Sequence, residues 1–193
     1  MTGDLNNDPR WQRLHDNSWI CPCCGESHRG LFDVALDRPA SCESDQQAIP
    51  NSELGSSDNI LTEDFCVVDG EHFFVRCVLL LPIAGAPESN FGWGVWSSLS
   101  RANFDLYVES FDNDKRSDLG PWFGYFSNHL RGYPDTFLLE CIVQPQNDRQ
   151  RPLIELEPTD HPLSLEQQHG ITFEHILEIY AEYGHDMRDA LSA

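Results

Sequence analysis

Residues 20–28 read ICPCCGESH, which places three thiols and an imidazole within eight positions. No other stretch of the chain restricts its backbone so closely. Cys21-Pro22-Cys23-Cys24-Gly25 matches a CPxCG knuckle in which a second cysteine fills the variable position. Thiolates three positions apart converge on one ion only if the chain turns tightly between them. Pro22 fixes φ at the start of that turn, and Gly25 permits the left-handed conformation that aims backbone N–H groups at the sulfurs. Zinc is the expected ion, because it accepts soft thiolates together with imidazole and needs no redox partner. An iron–sulfur cluster would call for more thiolates in a regular spacing. A closed tetrahedral site needs four ligands: Cys21 and Cys24 are the first pair, and His28 is the expected third. Cys66, at the start of a hairpin, is the expected fourth, with Cys42 in a polar loop as the alternative. Cys77 and Cys141 lie in strand-like runs and read as small core hydrophobes. Four protein ligands make a site structural, whereas three with an open position make it catalytic. No HExxH and no HxE pair occurs, so the structural assignment is preferred.

The formal charge is −20, from 32 acidic and 12 basic residues. Such a field repels phosphate backbones and anionic bilayers, so neither nucleic acid nor a membrane is expected as a partner. The acids are scattered, which fits plain solubility; the sharper reading is a surface that meets a basic protein. The first nineteen residues contain no apolar run of the secretory kind, and CVLLLPIA at 77–84 is too short to span a bilayer. With seven cysteines, an odd number, reduced thiols and a metal are favoured over a disulfide framework, and a cytoplasmic location is expected.

Periodicity predicts one domain over 19–185, a flexible arm over 1–18 and a tail over 186–193. FCVVDGEHFFVRCVLLLPI is two β-prone runs around an Asp69–Gly70 turn. Residues 33–62, rich in Ser, Asp, Asn and Pro, read as a long surface loop and linker with one short helix. FGWGVWSSL at 91–99 is a further strand, and its alternating glycines suit close approach by a backbone or a flat ligand. Ser100 is placed to cap a helix over about 101–111. GPWFGYFSNHL at 120–130 is aromatic and ambiguous, while 136–145 and 151–158 read as strands. Ser164 to Gln167 resembles a capping box, Gly170 a helix stop, and Thr172 the cap of a last helix ended by Gly184. The fold class is therefore α+β: a mainly antiparallel sheet packed by C-terminal helices, with an N-terminal zinc-knuckle-like segment.

Two other polar groupings stand out. Thr159, Asp160 and His161 lie on a turn before a helix, where His161 could act as a base oriented by Asp160, or where the turn simply caps the helix. Arg76 interrupts an apolar run and requires a partner such as Asp64 or Asp69, or else grips an anionic ligand. There is no GxSxG, P-loop or GxGxxG sequence.

CPCCGESH, DFCVVDGEHFFVR, FGWGVWSSLS with Asn103-Phe104 soon after, the Tyr133-Pro134 of GYPDT, and RPLIELEPTDHPLSLEQQHGI occur in that order. Together they resemble the bacterial family called domain of unknown function 2199, over about residues 19–185. The resemblance implies a soluble bacterial domain without an assigned activity and transfers no catalytic residue. It places Cys21, Cys24, His28 and Cys66 inside family segments, and Cys42 outside them. Three functions remain open from the residues: a zinc-stapled binding or adaptor module, of an immunity-like kind, facing a basic partner; a hydrolase or transferase using His161 and Asp160 with Arg76 as an anion clamp; and a metal-handling or redox protein using Cys23 as a spare thiol.

Overall fold

Asp69 and Gly70 both take positive φ, 54° and 66°, and with Glu71 make the three-residue loop between the paired Val68 and His72. It joins β4 (Phe65–Val68) to β5 (His72–Ile83), and Gly85 then leads into β6 (Ala86–Leu99). The computed structural model describes residues 4–16 and 18–192. Among these, the sheet also contains β1 (Val34–Ala35), β2 (Ala48–Ile49), β3 (Ile60–Thr62), β7 (Trp122–Tyr125), β8 (Glu140–Gln144) and β9 (Leu153–Leu156). The helices are α1 (Pro9–Leu14), α2 (Arg101–Glu109), α3 (Pro162–His169), α4 (Phe173–Glu182) and α5 (Arg188–Ser192).

The class is α+β as expected, but the sheet is mixed. β1 runs parallel to β6, β2 to β3 and β9 to β5, while the remaining ladders are antiparallel. One parallel pair follows from counting strands. A Ser97–Phe126 bridge, with the Ser127 N–H donating to the Trp96 carbonyl at 2.8 Å, brings the end of β7 back onto β6. The pairings β5-β6-β7-β8-β9-β5 therefore close a ring, and five strands cannot alternate direction all the way round. The inward positions of β7–β9, namely Trp122, Cys141, Val143, Ile154 and Leu156, are buried, as are Cys77, Leu79 and Leu81 of β5. Cys77 and Cys141 are core residues, as read.

The glycines of FGWGVW admit another backbone. A Cβ on Gly94 would stand 2.8 Å from the Cβ of Ala35, and one on Gly92 would collide with the Asp33 carboxylate. Their absent side chains let β1 lie against β6, while Trp93 and Trp96 are buried. The stretch read as a linker thus contributes three strands. The termini also differ from the arm and tail expected at 1–18 and 186–193, of which 1–3, 17 and 193 lie outside the described residues. Trp11 and Leu14 of α1, and Met187 and Leu191 around α5, are all buried in the main core. Their apolar side chains outweigh the polar composition that suggested loose ends.

Ser100 caps α2 by accepting the Asn103 N–H at 3.3 Å, and Thr172 caps α4 by accepting the His175 N–H at 3.2 Å. Gly170 and Gly184 end α3 and α4 at φ 97° and 89°. The capping box at Ser164 is not formed. Pro162 starts α3 two residues earlier, and the buried Ser164 hydroxyl instead bonds the Glu157 carbonyl at 3.1 Å.

Between α3 and α4, Glu166 accepts the Tyr133 hydroxyl at 2.5 Å and faces His175 Nδ1 at 2.6 Å. The Glu166 bond raises the His175 pKa above its ordinary value, against the opposing effect of burial. The proton is therefore bound more tightly in the folded state. This stabilisation is fully present below the ordinary histidine pKa, about 6.5, and is lost as pH rises through the folded value. Melting temperatures of the native protein and His175→Gln, followed from about pH 6 to about pH 9, should converge as pH increases. A constant difference would show that the pair carries no linked proton.

Candidate metal centre

The tight turn that the spacing calls for forms between Cys21 and Glu26. Gly25 takes φ 76°, its N–H donates to the Cys21 carbonyl at 2.9 Å, and the Cys21 N–H donates to the Glu26 carbonyl at 2.9 Å. These bonds fold Cys24 back toward Cys21. The chain then places His28 beside Cys24, with Nε2 3.2 Å from Sγ. His28 is steadied by Phe32, whose ring centroid lies 4.1 Å from its own.

The fourth donor is His185, just beyond α4. Its N–H donates to the Tyr180 carbonyl at 2.7 Å, and its Nδ1 lies 3.9 Å from Cys21 Sγ. Tyr180 ties the two regions together: its ring stacks on Phe32 at 4.1 Å, and its hydroxyl exchanges hydrogen bonds with the Phe32 backbone N–H and carbonyl at 2.9 and 2.7 Å. The donor atoms of Cys21, Cys24, His28 and His185 all lie within 4.8 Å of one another. A tetrahedral zinc ion bonded at about 2.3 Å to sulfur and about 2.0 Å to nitrogen needs ligand atoms roughly 3.3–3.8 Å apart. The four donors could hold a metal ion with small adjustments.

Burial opposes ionisation of Cys21. His185, the backbone N–H groups of Cys24 and Cys23, and His28 together outweigh it and hold the thiol at about 6. Cys23 behaves differently. Its sulfur donates to the Asp186 carbonyl at 3.2 Å, and burial, then the neighbouring Cys21, raise its pKa. The shift disfavours the thiolate form of this exposed thiol.

Cys66, expected as the fourth ligand, is a correction. It lies on β4 and faces a second small core with Cys42, Leu61, Phe74 and Trp96. Burial there, with Cys42 next to it, pushes its thiol well up, the opposite of what a ligand needs. The donor cluster therefore draws on the 21–28 segment and the end of α4, and not on the β4–β5 hairpin. Sequence reasoning passed over His185 because spacing cannot rank a donor 164 residues from Cys21. The available signal was a histidine directly after the helix-stopping Gly184.

The other expected site does not assemble. His161 is the N-cap of α3: its Nδ1 accepts the Leu163 N–H at 3.2 Å, which leaves the proton of the neutral ring on the buried Nε2. Neither nitrogen then offers a lone pair to a substrate, and Asp160 is exposed. Arg76 is not paired with Asp64. Arg151 takes that carboxylate at 2.6 Å, and among the described residues the Arg76 side chain has only a 3.4 Å contact to the Glu63 carbonyl. Burial first, and then Arg151, lower its pKa.

A family model described as an uncharacterized protein conserved in bacteria, DUF2199, matches residues 20–171. The chain belongs to this family. The match holds Cys21, Cys24 and His28 of the cluster, and His185 falls beyond it. No curated protein and no solved structure matches the chain. Among the described residues no helix is long and apolar enough to cross a membrane.

Proposed function

We propose that Cys21, Cys24, His28 and His185 form a structural zinc site, and that this member of the DUF2199 family is a non-catalytic binding module, of the adaptor or immunity kind, whose acidic surface meets a basic partner. One observation carries the reading: four soft donors, two sulfurs and two imidazole nitrogens, converge within 4.8 Å. Two thiolates with two imidazoles suit zinc above harder divalent ions, and a full protein set leaves no open position for substrate. The charge of −20 supports the choice of partner, and the capping role of His161 weakens the catalytic alternative. Elemental analysis of purified protein, with anomalous scattering at the zinc edge, tests the site. One zinc per chain between residues 21 and 185 is the expected result. A content near zero, with all exposed thiols freely titratable, would overturn it.

A further inference from the structure

The outer surface of the closed strand ring carries an apolar track that no lysine or arginine lines among the described residues, with His72 at the border of one end. Alternation in β7 sends Trp122 and Gly124 inward and Phe123 and Tyr125 outward, 48% and 39% exposed, with their rings edge to face at 5.1 Å. Phe123 stands opposite the half-buried Ile142, and Tyr125 opposite Glu140; Ile142 in turn faces Glu155. Two hollows extend the track. One, of about 450 Å³, includes Pro121, Ile142, Leu153 and Glu155. The other, of about 530 Å³, includes Tyr125, the 55%-exposed Leu138, and the carboxylates Asp69 and Glu71. Pro121, Phe123 and Tyr125, at every second position of one strand, run from the first hollow to the second. No lysine or arginine lines either hollow. Arg151 is drawn away to Asp64.

We propose that this track is the docking surface for a cationic, amphipathic protein segment, with apolar side chains in the two hollows and lysines or arginines against Glu140, Glu155, Asp69 and Glu71. This rests on the binding-module reading above and gives it an address. Charge complementarity selects the occupant. A second copy would bring the same carboxylates and another −20 charges to the face, and an anionic bilayer would be repelled. A mixed apolar and acidic face, in contrast, holds a basic amphipathic segment by burial and by ion pairing, and the pairing weakens as salt rises.

Calorimetric titration of the full chain tests this with three synthetic peptides: a lysine–leucine amphipath, a lysine–serine peptide of equal charge, and a glutamate–leucine amphipath. Sedimentation of the free protein accompanies it. The lysine–leucine peptide is expected to bind, with its Kd raised about tenfold or more by Phe123→Ser/Tyr125→Ser and by Glu140→Lys/Glu155→Lys, each change equivalent to about 1.4 kcal/mol. Glu178→Lys/Glu182→Lys on α4, with the same change in charge, should leave Kd within about twofold. Equal binding to all variants, or equal binding of the lysine–serine peptide, overturns the docking surface while the basic-partner reading stands. No binding of either cationic peptide removes both. A dimer abolished by Phe123→Ser/Tyr125→Ser assigns the track to a second copy and overturns the proposal.

Discussion

Replacing His185 by glutamine is expected to empty the metal site and lower the melting temperature by about 8–16 °C. Loss of a bound metal belongs among the largest single-residue effects, about 4 kcal/mol, and a domain of this size loses roughly 2–4 °C per kcal/mol. The loss stays well below the binding energy of an isolated zinc finger, because strands β4–β9 bury a core that does not depend on the metal site. Cys21→Ser/Cys24→Ser should behave in the same way, and chelation of the native protein should reproduce both. Cys66→Ala is the discriminating control: its thiol faces Cys42 and Trp96, so metal content should not change. Metal retained in His185→Gln but lost in Cys66→Ala would restore the ligand set first read from the sequence.

The second large effect is expected at Arg116, which is completely buried. Its guanidinium donates to the Phe111 carbonyl at 3.1 Å, the Gln150 carbonyl at 2.9 Å and the Tyr107 hydroxyl at 3.3 Å. It also lies 5.2 and 5.3 Å from the ring centroids of Tyr107 and Phe111. All three acceptors are neutral, so the charge is held by dipoles and aromatic faces. Arg116→Ala leaves two carbonyls without a donor and opens a cavity the size of the side chain; a loss of about 3–5 kcal/mol follows. Arg116→Lys keeps the charge but not the fork, and should lose about half as much. Denaturant unfolding measures both. An alanine variant within about 0.5 kcal/mol of the native protein would show that the buried charge costs as much as its bonds return.

Arg116 also illustrates where sequence reading stops. It sits in DNDKRSDLG, a run as polar as any in the chain, and nothing local shows that α2 and the 147–150 turn will close over it. Local signals were reliable where the physics is local: the Asp69–Gly70 turn, the Ser100 and Thr172 caps, the glycine stops at 170 and 184, and the turn of the knuckle. The site was half legible for the same reason, since Cys21, Cys24 and His28 are set by one tight turn, whereas the choice between Cys66 and His185 is a matter of packing. The edge strands β1 and β2, two residues each, are fixed by the neighbours they pair with, and their own Ser-, Asp- and Pro-rich surroundings argue against them.

The separation of 164 residues between Cys21 and His185 has a consequence for biosynthesis. A ribosome adding roughly 5–20 residues per second takes about 10–30 s to go from the first donor to the last. Throughout that interval the nascent chain exposes an incomplete set of three donors. On the proposed zinc reading, an ion captured early would keep one coordination position open to other ligands until His185 is made.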